Sequence, residues 1–160
     1  MCPESELVHV KTLDNRAVRQ EILDRIAQLS GADQGKWGRM SVHQMVCHLR
    51  DGYGAALGEK AVTPATSVLQ RTVVKWAALW APLQWMKGYP TRPEMEQGKG
   101  GSAPADFESD RKALRGALER FCEELPQPCL PHPVFGAMNA REWGRWGYLH
   151  ADHHLRQFGR

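Results

Sequence analysis

Apolar positions recur at three- and four-residue intervals along most of the chain, the period of a helix with one buried face. Val18, Ile22, Leu23, Ile26 and Leu29 form the first stripe and predict a helix over about 15–30, capped by Asp14 or Asn15. Gly31, Gly35 and Gly38 break the pattern, and Trp37 is expected to fold back onto the core. A second helix opens at Ser41, because Ser41-Val-His-Gln44 is a capping-box pattern. It carries Met45, Cys47, His48, Leu49 and Tyr53 and ends near Gly58.

A third, aromatic helix is predicted over about 66–87, with Leu69, Val73, Trp76, Trp80 and Leu83 on one face and Trp85 beside it. Pro82 removes a ladder bond there, so a kink or an early end is expected. From Gly88 to Pro104, seven of 17 residues are Gly or Pro, which predicts a loop that is either a lid or a loose connection. A fourth helix is predicted over about 106–125, using Phe107, Leu114, Leu118 and Phe121. Four prolines from Pro126 to Pro133 keep the next connection extended. The last helix begins at the capping box Asn139-Ala-Arg-Glu142 and runs to Phe158, with Gly159 as its C-terminal cap. No alternating strand pattern and no internal repeat is present. The prediction is all-α, an antiparallel four-helix bundle with a long crossover, forming one domain over residues 1–160.

Composition narrows the function classes. The 21 Lys and Arg against 18 Asp and Glu give a net charge of +3, spread rather than blocked. That argues against a nucleic-acid partner. The candidate membrane stretch, Val73 to Met86, is too short and too charged to span a bilayer, so no membrane partner is expected. The first eight residues show no apolar signal core. The four cysteines form no C-x-x-C pair, although Cys122 and Cys129 lie near enough in sequence to meet. All four, Cys2 and Cys47 included, are read as reduced thiols in the cytoplasm.

Seven histidines in 160 residues, three of them (His150, His153, His154) within five, carry the candidate chemistry. On a helix His150 and His154 stand one turn apart on one face and can point at a single cation. Ala151 stands where the zinc-protease motif has its glutamate, so that chemistry is excluded. Two ligands bind a metal weakly, and the third must come from another helix. His48 is the best candidate, and His153 competes with His154 on spacing. The alternative for His48 is a hydrogen-bonded core residue. His9, His43 and His132 are read as non-ligands and Cys47 as a small buried filler. Asp51 and Glu142 are candidate acceptors for the ligand N–H groups, Asp51 also a base near the metal. The Trp76–Trp80–Trp85 and Trp143–Trp146 runs are read as core packing, with a pocket wall or a dimer face as the other reading.

The stretch His132-Pro-Val-Phe-Gly-Ala-Met138, then Glu142-Trp-Gly, then His150-Ala-Asp-His-His-Leu-Arg-Gln-Phe-Gly159 resembles the ending of a bacterial family in the DinB/YfiT-like superfamily of metal-dependent enzymes. Trp37-Gly-Arg-Met-Ser-Val-His-Gln-Met-Val-Cys-His48-Leu resembles the segment that carries the first superfamily histidine. The resemblance implies a four-helix bundle around a pocket with a divalent metal. Its three ligands would fall on His48, His150 and His154, and His153 is not carried over. Relatives include transferases and isomerases that use low-molecular-weight bacterial thiols.

The expected function is therefore a metalloenzyme, hydrolytic or thiol-transferring, acting on a small molecule. Zn²⁺, Ni²⁺ and Fe²⁺ all suit imidazole. The alternatives are a metal- or small-ligand-binding module without turnover, and a structural, homodimeric bundle whose histidines are incidental.

Overall fold

The computed structural model describes residues 10–160, so Cys2, His9 and the first eight residues lie outside the described residues. Five α-helices are present among the described residues: α1 Arg16–Ala27, α2 Val42–Ala56, α3 Lys75–Trp80, α4 Phe107–Glu124 and α5 Ala140–Gln157. No strand occurs among the described residues, and one isolated bridge pairs His132 with Gly136.

Helix starts follow their capping residues. Asn15 Oδ1 accepts from the Ala17 and Val18 amides at the head of α1. Ser41 and Asn139 each close a reciprocal capping box, with Gln44 and Glu142 respectively. Asp106 caps α4 by accepting from the Ser109 amide at 2.9 Å. The C-terminal Gly58 and Gly159 take φ of +81 and +76, the left-handed turn that stops α2 and α5.

The core lies between α1, α2, α4 and α5. The longest helix contact is α2 against α4, and α1 packs on both α4 and α5. Ile22 and Ile26 from α1, Met45 and Leu49 from α2, and Leu114 and Leu118 from α4 are fully buried. From α5, Trp143 and Trp146 are buried in the same core, as their spacing predicts. Glycine sets how close α5 comes. A Cβ on Gly147 would lie 2.9 Å from both Leu13 Cδ1 and Phe121 Cε1, and the Gly147 carbonyl accepts from the Tyr53 hydroxyl at 3.1 Å.

The aromatic third helix departs from its prediction. Helical turns span 68–80, opening as a π-helical turn over Gln70–Val74, and stop before Pro82. Pro82 has no N–H for the Ala78 carbonyl four residues back, and that carbonyl accepts from Trp85 Nε1 at 2.7 Å instead. The Leu79 carbonyl accepts from Arg145 Nε of α5 at 2.7 Å. These two bonds end α3 and dock it on α5. Only Leu79 is buried, while Trp76 is 62% exposed and Leu69, Val73 and Leu83 are also outside. The predicted core face of this helix is thus a surface. Trp37 likewise only half-buries, under the Lys87 ammonium at 4.5 Å from its ring centroid.

The glycine- and proline-rich segment after α3 is pinned rather than loose. Glu94 Oε1 accepts from the Thr63 amide at 2.9 Å, and Lys60 Nζ donates to the Gly100 carbonyl at 2.8 Å. Ser102 donates to Asp51 through its amide at 2.8 Å and its hydroxyl at 2.6 Å. Cys47, Cys122 and Cys129 are free thiols, so the Cys122–Cys129 bond does not form.

Two glycine substitutions test this packing. Gly116 lies within α4 with open space where a Cβ would be. Gly116→Ala is expected to stabilise by about 1 kcal/mol through helix propensity alone. Gly147→Ala gains the same propensity but overpacks two buried side chains, for a net loss of about 1 kcal/mol, or roughly 2–4 °C in Tm. Thermal melts of the two variants should therefore shift in opposite directions.

Candidate metal centre

The α2 and α5 helices bring three of the seven histidines together. His48 lies between Met45 and Gly52 on the buried face of α2. His150 and His154 project from one face of α5. The three rings form a near-equilateral triangle with centroids 5.0, 4.8 and 5.0 Å apart. One ring nitrogen from each lies within 4.8 Å of the others. His48 Nε2 and His150 Nε2 are 3.0 Å apart. Two imidazoles bound to one first-row ion at about 2.1 Å hold their nitrogens roughly 3.0–3.4 Å apart. At that range two lone pairs need a proton or a cation between them.

Outer partners fix which nitrogen faces inward. Gln157 Nε2 donates to the Trp37 carbonyl at 2.7 Å, which orients the amide so that Oε1 faces His154. That oxygen can only accept, so His154 Nδ1 is its protonated donor at 3.1 Å and Nε2 carries the lone pair. His48 Nδ1 likewise donates to the Met95 carbonyl at 3.3 Å. His150 differs. Its buried Nδ1 has no hydrogen-bond partner among the described residues. The ring lies 4.8 Å from that of Trp146, and a Cβ on Gly52 would come within 3.0 Å of its Cε1. Gly52 is therefore the residue that gives the His150 ring its space.

Burial keeps all three imidazoles neutral. It lowers the His48 pKa against the opposing pull of the Met95 carbonyl and Asp51. It lowers His150 well below the usual value, helped by the neighbouring histidines, and pushes His154 down to about 3. Neutral imidazoles are what a metal requires. The residues fit an ion: three ring nitrogens converge, and fixed acceptors behind His48 and His154 turn the lone pair of each inward. They can hold a divalent ion.

His153 does not join the triangle. It is half-buried beside Trp37 and Trp85, at ring distances of 6.1 and 6.2 Å. Asp51 and Glu142, the expected acceptors for ligand N–H groups, serve elsewhere. Asp51 lies three residues after His48 and turns to Ser102 and Lys60, the ammonium at 3.3 Å. Glu142 closes the α5 capping box and pairs with Lys75 at 2.9 Å. The acceptors present are the Met95 carbonyl and Gln157. A backbone carbonyl leaves no mark in a sequence. Gln157 does, since it stands three residues after His154 on the same helix.

The other two described histidines, His132 and His43, are structural. His132 Nδ1 accepts from the Val134 and Phe135 amides, both at 3.1 Å, and its backbone pairs with Gly136. This closes the His-Pro-Val-Phe-Gly turn, and burial pushes the imidazole down to about 3. His43 forms a second compact group with Cys47 and Asp110. Its chemistry suits a cation poorly. The Asp110 carboxylate already accepts from His43 Nε2 at 2.8 Å, the Ala105 amide at 3.0 Å and Arg50 at 3.1 Å. Burial raises the Cys47 thiol to about 11, so it stays protonated.

These shifts set the acid stability. Each buried histidine binds its proton more weakly folded than unfolded, so the unfolded chain takes up more protons as pH falls below about 6.5. Stability is complete above that pH and declines below it. Urea midpoints measured at pH 7.5 and pH 5 should be lower at pH 5, and a His132→Asn, His154→Asn variant should lose part of the difference.

No curated protein and no solved structure matches the chain. A family model described as a protein of unknown function, DUF1569, matches residues 8–160. The chain is a member of the DUF1569 family.

Proposed function

We propose that the protein is a cytoplasmic metalloenzyme of the DinB/YfiT-like type, a four-helix bundle holding one divalent ion through His48, His150 and His154. The observation that carries this reading is the pair of fixed acceptors, Met95 and Gln157, behind two converging neutral rings. Core packing alone calls for satisfied nitrogens, not for three ring nitrogens converging on one point. The same three positions are those implied by the resemblance in sequence.

An ion bound by three neutral imidazoles keeps its double charge and supplies Lewis acidity, lowering the pKa of a water or thiol bound to it. The protein's own part is orientation and exclusion of water. Trp146 lies against the His150 ring, and Trp85 stands 6.3 Å from it. Both Asp51 and Glu142 are engaged away from the cluster, so neither serves as general base. With no carboxylate placed to act as base, the nucleophile would be one that the ion itself activates, and we favour a low-molecular-weight thiol in that part over water. The substrate is a small molecule, transferred or isomerised. A metal-binding module without turnover shares the ligand set and differs in lacking thiol-dependent conversion.

Metal analysis of the purified chain tests the ligand set. About one divalent ion per chain is expected, lost in His48→Ala and in His154→Ala. Gln157→Leu removes an acceptor but no ligand, and should weaken metal affinity about 10- to 100-fold. Bound metal should be released as pH falls below about 6. Retention of full metal in both histidine variants, or to pH 4 in the parent chain, would overturn the tri-histidine site.

A further inference from the structure

The segment between α2 and the Pro93–Met95 turn carries a surface that the metal centre does not use. Eight of the ten large apolar residues exposed among the described residues lie between 68 and 89. Leu69, Val73 and Trp76 follow one another at helical spacing on the outer face, at 60–62% exposure. Beyond Pro82 the chain also exposes Leu83, Met86 and Tyr89, at 71, 74 and 61%. An apolar run this dense on the outside of a small protein marks a contact surface.

Its charge says what kind. From Lys60 to Pro93 the chain has no Asp or Glu in 34 residues, while it carries Lys60, Arg71, Lys75, Lys87 and Arg92. The neighbouring face of α5 adds Arg141, whose guanidinium lies 5.3 Å from the Trp80 ring centroid, and Arg145, bound to the Leu79 carbonyl. The acidic group against α3 is Glu142, paired with Lys75 at 2.9 Å. Two copies of the chain meeting through this face would set like charges against each other. An anionic partner would not.

No helix among the described residues is long and apolar enough to cross a membrane. Exposed apolar and aromatic side chains interspersed with cations are the composition of a segment that lies in the headgroup layer. We infer that residues 68–89 dock the protein on an anionic lipid surface, with Leu69, Trp76, Leu83 and Met86 entering the interface and Arg71 and Lys87 meeting the headgroups. This departs from the expectation of no membrane partner, which rested on spanning alone. The inference is independent of the metal site.

Flotation of the full chain with vesicles tests it. Binding is expected to vesicles of phosphatidylglycerol mixed with phosphatidylcholine, to fall about tenfold with phosphatidylcholine alone, and to weaken as salt rises. Trp76→Ser combined with Leu83→Ser, and separately Arg71→Glu combined with Lys87→Glu, should each reduce binding by about tenfold or more. These side chains are exposed, so near-parental melting curves should confirm that both variants fold. Equal partitioning of the parent and both variants would overturn the inference, as would no binding to anionic vesicles at low salt. So would light scattering showing a stable dimer that the Trp76→Ser, Leu83→Ser variant abolishes, since the face would then belong to a second copy.

Discussion

The approach of α2 to α5 at Gly52 is the constraint on which the site depends. A Cβ at that position would lie 3.0 Å from His150 Cε1 and would push the ring by a few tenths of an ångström from the place that brings the His48 and His150 nitrogens to 3.0 Å. The same approach is supported one turn earlier along α5, where Gly147 accepts Leu13 and Phe121 and its carbonyl takes the Tyr53 hydroxyl. Small residues here serve two ends. They let two helices close, and they exchange side-chain volume for histidine rings in a dry interior. Such rings are costly to charge, which keeps them as neutral ligands across the neutral pH range.

Around that contact the loops act as supports. The Pro93–Met95 turn presents a carbonyl to His48, and its flanks are tied to Thr63, Lys60 and Asp51. Asp51 thus touches no ligand: it clasps Ser102 and acts on His48 only through its charge. Gln157 ties His154 to the Trp37 carbonyl ahead of α2, so both ends of the site are held by the segments that precede and follow the helices.

Much of this was legible in the sequence. Capping residues at Asn15, Ser41 and Asn139 set the helix starts, because a side chain must satisfy amides that no preceding turn reaches. The His150–His154 spacing placed two rings on one face, and His48 was the best third candidate from another helix before the resemblance implied the same position. What periodicity lacked was a direction. The Leu69–Val73–Trp76 stripe has the same spacing whether it faces a core or solvent, and it was read inward. The ends of α3 depend on Pro82 leaving the Ala78 carbonyl to Trp85, a side-chain substitution that no pattern of apolar residues records. The expected roles of Asp51 and Glu142 failed for a related reason. Each is near a ligand in sequence, yet each has a stronger local partner: a serine with two donors, and a cap.

The central claim is that one divalent ion sits among His48, His150 and His154. Diffraction from crystals of the purified protein, recorded above and below the absorption edge of the metal found in it, tests that claim most directly. One anomalous peak is expected, about 2.0–2.2 Å from the Nε2 atoms of all three residues. A peak at His43, Cys47 and Asp110 instead, or none at the triangle in metal-saturated crystals, would contradict it.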